Sequence, residues 1–296
     1  MSFTLEKYGG LEYFTPENIK TPAIFTTRLG GVSGISGEYK SSPLYSLNLG
    51  FKDKYDKEEN VGRNYKIIAD SLGFSVNNII YAHQKHTDNI LICDKKFLND
   101  NKNNMLPLPG NYIYDAMVTN IPGVLLTART ADCVPVLFRD EENNAVGAAH
   151  CGWRGTLQKL QVKTALKMSE VYGTDLCRLK AAIGPSISKC CYEVSEEFYK
   201  NFADTIGERV KNYFSKTPAR CDGHPLYERG QGEIPDKQKY MCDLKGINKM
   251  LLLDLLDENN IEVSQNCTYC EEDLFFSHRR QGEYRGSHAA FIGIRD

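Results

Sequence analysis

Two histidines and a cysteine carry the densest chemistry in this sequence. Each sits in its own short motif: Gln84-Lys85-His86-Thr87, Thr130-Ala131-Asp132-Cys133-Val134-Pro135 and Ala149-His150-Cys151-Gly152-Trp153-Arg154-Gly155. Two imidazoles and a thiolate suit a divalent transition metal. Three protein ligands also leave the fourth tetrahedral position of zinc open to water or substrate, as catalytic zinc sites do. The same atoms could instead act as a nucleophilic Cys133 with His150 or His86 as its base. The three residues are too widely spaced along the chain to form a local ligand motif, so the fold has to bring them together.

The central third of the chain holds the elements that would do this. Short apolar runs at 116–118, 124–127, 134–138 and 145–149, separated by turn residues, predict buried strands. Residues 140–144 read as a hairpin turn. Cys133 then begins one strand and His150 ends its antiparallel neighbour, which sets the two side by side. Further strands are predicted at 23–27, 77–83, 180–183 and 288–294. Helices are predicted over 57–72 (capped at Asp56 or a neighbour and stopped by Gly73), 156–172 (stopped by Gly173), 196–202 and 244–256. The glycine-rich stretch 29–37 predicts a loop with unusual backbone angles, 94–112 a polar excursion, and 217–238 a surface loop. Strands and helices intermingle without regular βαβ alternation, which predicts an α+β fold with mixed β-sheets in a single domain, 1–296.

Composition narrows the partners. The net charge is −2, so no basic face is advertised and neither nucleic acid nor an anionic membrane is expected as the main partner. No apolar signal-peptide core follows Met1 and no uncharged apolar run approaches ~18 residues, so a soluble, cytoplasmic protein is expected. In that compartment the ten cysteines should be reduced. Cys93, Cys177 and Cys242 lie among apolar residues and read as small core residues. Cys267-Thr268-Tyr269-Cys270 is a lone C-x-x-C, weak support for a zinc knuckle or a redox dithiol. It reads as two ordinary thiols, and so does the adjacent pair Cys190-Cys191.

Two further segments have binding chemistry. Gly152-Trp153-Arg154-Gly155-Thr156 reads as a strand-to-helix turn whose backbone N–H groups could receive an anion, with Arg154 adding a charge-assisted fork. Trp153, the single tryptophan, could stack on a base or cover the core. Residues 273–282 concentrate aromatic, imidazole and guanidinium groups, as a purine or phosphate pocket needs. A solvated basic turn would look the same.

Taken in order, these motifs resemble a known family. Phe25-Thr26-Thr27-Arg28-Leu29-Gly30-Gly31-Val32-Ser33, Ser46-Leu47-Asn48-Leu49-Gly50, Gln84-x-His86, Asp115-Ala116-Met117-Val118-Thr119, the Cys133 and His150 motifs, Ile183-Gly184-Pro185, Cys191-Tyr192-Glu193-Val194 and Phe276-Ser277-His278-Arg279-Arg280 are similar to the series found in the laccase-domain (YfiH/YlmD-type) family, formerly labelled multicopper polyphenol oxidase. The resemblance runs from about residue 20 onward. It implies a layered αββα sandwich, with phosphorolysis of adenosine, inosine and S-methyl-5'-thioadenosine plus adenosine deaminase activity. It places zinc ligands on His86, Cys133 and His150. Lys85 and Thr87 stand where relatives commonly have Val and Gly, and Gln281 where Asp is usual, departures that bear on substrate preference.

Chemistry discriminates among the labels. A multicopper oxidase needs many histidines with paired His-x-His ligands, whereas this chain has six histidines and no His-x-His. Copper at the three ligands in vitro could still give weak polyphenol oxidase turnover. Phosphorolysis needs a phosphate cradle, a base-stacking surface and a proton donor to the leaving purine. Asn48, Arg63, Cys133 and Arg154 are the candidate catalytic residues, and Arg28, Trp153, Ser277, His278 and Arg279 the candidate substrate contacts. The rivals are a cysteine- or metal-dependent hydrolase editing peptidoglycan precursors, and a metal or purine sensor without turnover.

Overall fold

The structure, a computed structural model, describes residues 3–34, 44–51, 56–102, 106–107, 110–216 and 238–295. Residues 35–37 of the glycine-rich stretch and 217–237 of the expected surface loop lie outside the described residues.

The strands run in chain order β1 (Thr4–Tyr8), β2 (Leu11–Thr15), β3 (Ala23–Thr26), β4 (Ile79–Ile80), β5 (Ile90–Ile92), β6 (Ala116–Thr119), β7 (Leu125–Thr130), β8 (Val134–Asp140), β9 (Ala145–Cys151), β10 (Lys180–Ile183), β11 (Glu193–Ser195), β12 (Phe214–Ser215), β13 (Lys239–Cys242), β14 (Ile261–Val263) and β15 (His288–Gly293). They form two six-stranded sheets, β1-β2-β3-β15-β7-β4 and β14-β10-β8-β9-β6-β5, and a small sheet β11-β13-β12. The large sheets are mixed: β4 pairs with β7, β5 with β6 and β14 with β10 in parallel, and the remaining pairs are antiparallel.

Period-two alternation explains the layers. In β8, β9 and β15 the residues Leu137, Val146, Ala148, Ala290 and Ile292 meet between the two large sheets. Val136, Phe138, Ala145 and Ala149 point to the other face of the second sheet, where Leu160, Ala165, Met168, Ile247 and Leu251 cover them. Ile24, Leu125, Ala289 and Phe291 point away from the first sheet onto Val61, Tyr65, Ile68 and Leu72. Strands buried on both faces read as continuous apolar runs, hence the unbroken burial of β9. Each fully buried Leu, Ile or Phe contributes about 1.5–3 kcal/mol. The result is helix, sheet, sheet, helix: the layered αββα sandwich that the family resemblance implies.

The helices are α1 (Glu58–Leu72), α2 (Lys95–Asp100), α3 (Trp153–Leu157), α4 (Leu160–Tyr172), α5 (Glu196–Ile206), α6 (Leu244–Leu252) and α7 (His278–Gln281). α1 ends at Gly73 in the left-handed region, φ 75°, as expected. Its cap is Lys57, while Asp56 Oδ1 accepts from Lys57 N and Asn60 Nδ2. The single helix expected over 156–172 is two, because Lys159 takes φ 56° and turns the chain between α3 and α4. The strand expected at 77–83 shrinks to β4, entered through a 3-10 turn at Val76–Asn78. The helix expected over 244–256 stops at Leu252. Cys93 and Cys242 are buried as expected, but Cys177 is exposed and Cys191 is disulfide-bonded, contrary to the expectation of reduced thiols throughout.

Candidate active site

The β8–β9 hairpin sets the geometry. Val134 pairs with Cys151 and Pro135 with His150, so Cys133, one residue before β8, lies beside the end of β9. His86 arrives from a third segment, beyond β4, with φ 60°, a left-handed conformation that a non-glycine residue holds at a cost of about 1–3 kcal/mol.

Asp115, buried just before β6, holds that turn. Its carboxylate accepts from the backbone N–H of Lys85 (3.1 Å), His86 (3.0 Å) and Thr87 (2.7 Å) and from Thr87 Oγ1 (2.9 Å). Its Oδ1 also lies 2.9 Å from His150 Nδ1. Burial alone would raise this carboxyl, but the His150 contact and the backbone donors outweigh it and hold the pKa down at about 2. An anionic partner on Nδ1 fixes the His150 ring and leaves its other nitrogen for the Cys133 side. Burial disfavours the His150 cation, yet the Cys133 sulfur and Asp115 together raise its pKa to about 9. His86 goes the other way: burial, then the neighbouring His150, lower it to about 4.

The donor atoms of His86, Cys133 and His150 lie within 4.8 Å of one another. His86 Nδ1 is buried with no hydrogen-bond partner. A Cβ built on Gly152 would come within 2.9 Å of Cys133 Sγ and 3.0 Å of His86 Nδ1, so only glycine keeps that space open. Two imidazoles and a sulfur around one point, with one nitrogen orphaned and a carboxylate behind another, fit a zinc-class ion.

The three residues open onto a cleft of about 480 Å³. Trp153, Arg154, His278 and Arg279 line it with them, so seven sequence-selected residues converge here. The Arg154 guanidinium stacks on Trp153, 4.1 Å from a ring centroid, and Arg279 lies over Tyr192 at 5.3 Å. Ser277 stands behind the wall as the cap of α7: its Oγ accepts from Arg280 N and donates to Asp132 Oδ2. Asn48 is buried and does not line the cleft. Its Oδ1 accepts from the N–H of Ser287, which does. Arg28 lies outside the lining as well, donating through Nε to Tyr45 O and packed 4.8 Å from the Phe276 ring centroid. Arg63 is on the exposed face of α1, paired with Glu59, and is not brought to the cleft.

Several lining residues were not singled out from the sequence. Gln84 clamps Arg129 through both amide ends, Nε2 to the Arg129 carbonyl at 2.8 Å and Oε1 from its N–H at 2.9 Å. Gln84 belongs to the Gln84-x-His86 motif, and that was its signal. Arg129 directly precedes the Cys133 motif. Asp132, at φ 92°, accepts from Thr268 Oγ1, Ser277 Oγ and the Arg279 N–H, tying the turn before β8 to the C-terminal arginines. Arg285 lines the cleft with Nε buried and unpartnered, and nothing in its local sequence marked it.

Residues 22–295 match the family model described as multi-copper polyphenol oxidoreductase laccase. Purine nucleoside phosphorylase YlmD of Bacillus subtilis is 31% identical over 94% of this chain and 90% of its own length. Adenosine deaminase RL5, from an unknown prokaryotic organism, is 29% identical over 77% of this chain and 78% of its own. The crystal structure of YfiH from Bacillus licheniformis superposes with a TM-score of 0.80 at 29% identity, covering 99% of both chains. On a family match that spans nearly the whole chain and a relative more than 30% identical over most of it, the chain belongs to the laccase-domain family.

Proposed function

We propose that this chain is a zinc-dependent purine nucleoside phosphorylase acting on adenosine, inosine and S-methyl-5'-thioadenosine, with adenosine deaminase activity in the same cleft. One observation carries the reading: the His86–Cys133–His150 donor set opens into a cleft walled by four guanidiniums, Arg129, Arg154, Arg279 and Arg285, and by the rings of Trp153 and Tyr192. Relatives named as a purine nucleoside phosphorylase and an adenosine deaminase support it.

In phosphorolysis a phosphate oxygen attacks ribose C1′ while the C1′–N9 bond breaks, its electron pair leaving with the purine, which takes up a proton. The arginines suit the phosphate: bidentate forks neutralise it and hold it in line for attack. Arg285 is the strongest candidate, since its buried Nε lacks an acceptor. Trp153 and Tyr192 offer flat surfaces to the base. His86, Cys133 and His150 would hold a zinc ion, which would supply Lewis acidity in the cleft. Asn48 acts at one remove, by fixing Ser287.

A second reading has its own support. Asp115, His150 and Cys133 form a carboxylate–imidazole–sulfur series of the kind that activates a nucleophilic cysteine. The orphaned His86 Nδ1 and the Gly152 gap favour the metal. The deciding experiment is metal analysis with adenosine turnover, with and without phosphate, for wild type and His150→Ala. The proposal expects cleft-bound zinc and phosphate-dependent adenine release, both lost in the variant. Turnover to inosine alone leaves deamination as the sole activity. A metal-free protein that hydrolyses substrate and is blocked by alkylation of Cys133 overturns the metal reading.

A further inference from the structure

A second group of sulfurs lies behind the cleft wall. The parallel bridge Ser186↔Cys267 joins the segment after β10 to the segment after β14, and around it Ile187, Cys191, Cys267 and Tyr269 form a small separate core. Cys190 Sγ is 3.6 Å from Cys267 Sγ and 3.6 Å from Cys270 Sγ, and Cys191 Sγ is 3.4 Å from Cys270 Sγ. All four sulfurs lie within 4.8 Å of one another. A tetrahedron of thiolates about 2.3 Å from zinc has edges of about 3.8 Å, close to these separations.

The surroundings are built for negative sulfur. The Ser188 N–H donates to Cys267 Sγ at 3.4 Å. Lys245 is buried beside the group, its ammonium donating to the carbonyls of Ser264 and Asn266, with the Cys267 and Cys190 sulfurs in its field. Ordinary core thiols need neither a directed backbone donor nor a buried cation beside them.

We propose that Cys190, Cys267 and Cys270 bind a second metal ion, a thiophilic divalent cation of the zinc class, and that Cys191 completes the tetrahedron when its disulfide is reduced. The reduction is a thiol–disulfide exchange: a dithiol or phosphine reductant delivers two electrons, two protons are taken up, and the Cys191 thiol loses its proton on binding the ion. Four closed sulfur ligands make this a structural site. It clasps the segment bearing Ile187 and Tyr192, both in the cleft wall, to the segment whose Thr268 holds Asp132. The proposal does not depend on which reaction the cleft performs.

The test is metal stoichiometry of the full chain, stripped, reduced with a phosphine and reloaded with zinc or cobalt(II) under nitrogen. Wild type should bind two equivalents, and His150→Ala and the double variant Cys267→Ser/Cys270→Ser one each. The cobalt form of His150→Ala should show the intense sulfur-to-metal charge-transfer bands of a tetrathiolate, absent from the double variant. A His150→Ala protein left with no equivalent, or a count in the double variant equal to wild type, overturns the proposal. Should the double variant fail to fold, alkylation of zinc-loaded His150→Ala, read by peptide mass spectrometry, decides instead. Protection of Cys190, Cys191, Cys267 and Cys270 that disappears on chelation upholds the site, and labelling indifferent to chelation refutes it.

Discussion

Asp115 joins the backbone of the His86 turn to the ring of His150, 2.9 Å from His150 Nδ1 through the same Oδ1 that receives the His86 N–H. One carboxylate therefore sets both imidazoles. Asp115→Asn keeps the size and loses the anion. Metal affinity should fall roughly 10–100-fold, the usual effect of removing an outer partner of a metal-bound histidine. Competition with a chromophoric chelator measures it, and an unchanged affinity would show that Asp115 only supports the turn.

Gly152 bounds the same space. Gly152→Ala places a methyl 2.9 Å from Cys133 Sγ and 3.0 Å from His86 Nδ1. Overpacking costs about 1–3 kcal/mol, which here should appear as roughly a 10–100-fold loss of metal affinity with the circular dichroism spectrum unchanged. Full zinc occupancy at wild-type affinity would mean that the ion sits elsewhere.

Arg285 is expected to hold phosphate. Replacing it with Gln removes a charge-assisted contact of about 1.5–3 kcal/mol, so KM for phosphate should rise about 10–100-fold. The KM for adenosine should change little. Steady-state kinetics with each substrate varied in turn separates the two, and an effect confined to adenosine would place the phosphate elsewhere.

His288 makes the fold acid-sensitive. It is buried against Phe275 and Phe276, ring centroids 5.4 and 6.4 Å away, with neither nitrogen hydrogen-bonded. Burial first, then Arg285, Arg280 and Arg28, depress its pKa to about 3. The unfolded chain binds this proton near pH 6.5 and the folded chain does not. The contribution is thus complete above pH 6.5 and is lost as pH falls toward 3, by at most about 1.4 kcal/mol per unit. In His288→Leu the urea midpoint should drop less between pH 7 and pH 5 than in wild type. An identical drop would assign the acid sensitivity to other groups.

The hairpin that sets Cys133 beside His150 was legible because apolar runs, a turn and strand alternation are local facts. The break at Lys159 was not, since its left-handed φ opposes the helical periodicity on both sides. Asp115 was visible only as part of a motif: its role consists of contacts to Lys85, His86, Thr87 and His150, all far away in sequence. The lone C-x-x-C looked weak for the same reason. Its counterpart, Cys190-Cys191, reaches it through a bridge between segments that no spacing announces. Arg63 shows the opposite error, a residue of the right chemistry on the solvent face of its helix.

The position of β15 has a consequence for how the molecule is made. This strand lies between β3 and β7 in the middle of the first sheet, and it is synthesised long after β3. On the order of tens of seconds separate the two at ordinary rates of synthesis. Throughout that interval β3 and β7 present unpaired edges to solvent or to each other, an opening for wrong pairing. The same segment delivers Arg279 and Arg285 to the cleft. On the proposed function, a nascent chain therefore holds His86, Cys133 and His150 well before Arg279 and Arg285 reach the cleft, which is completed as the sheet closes.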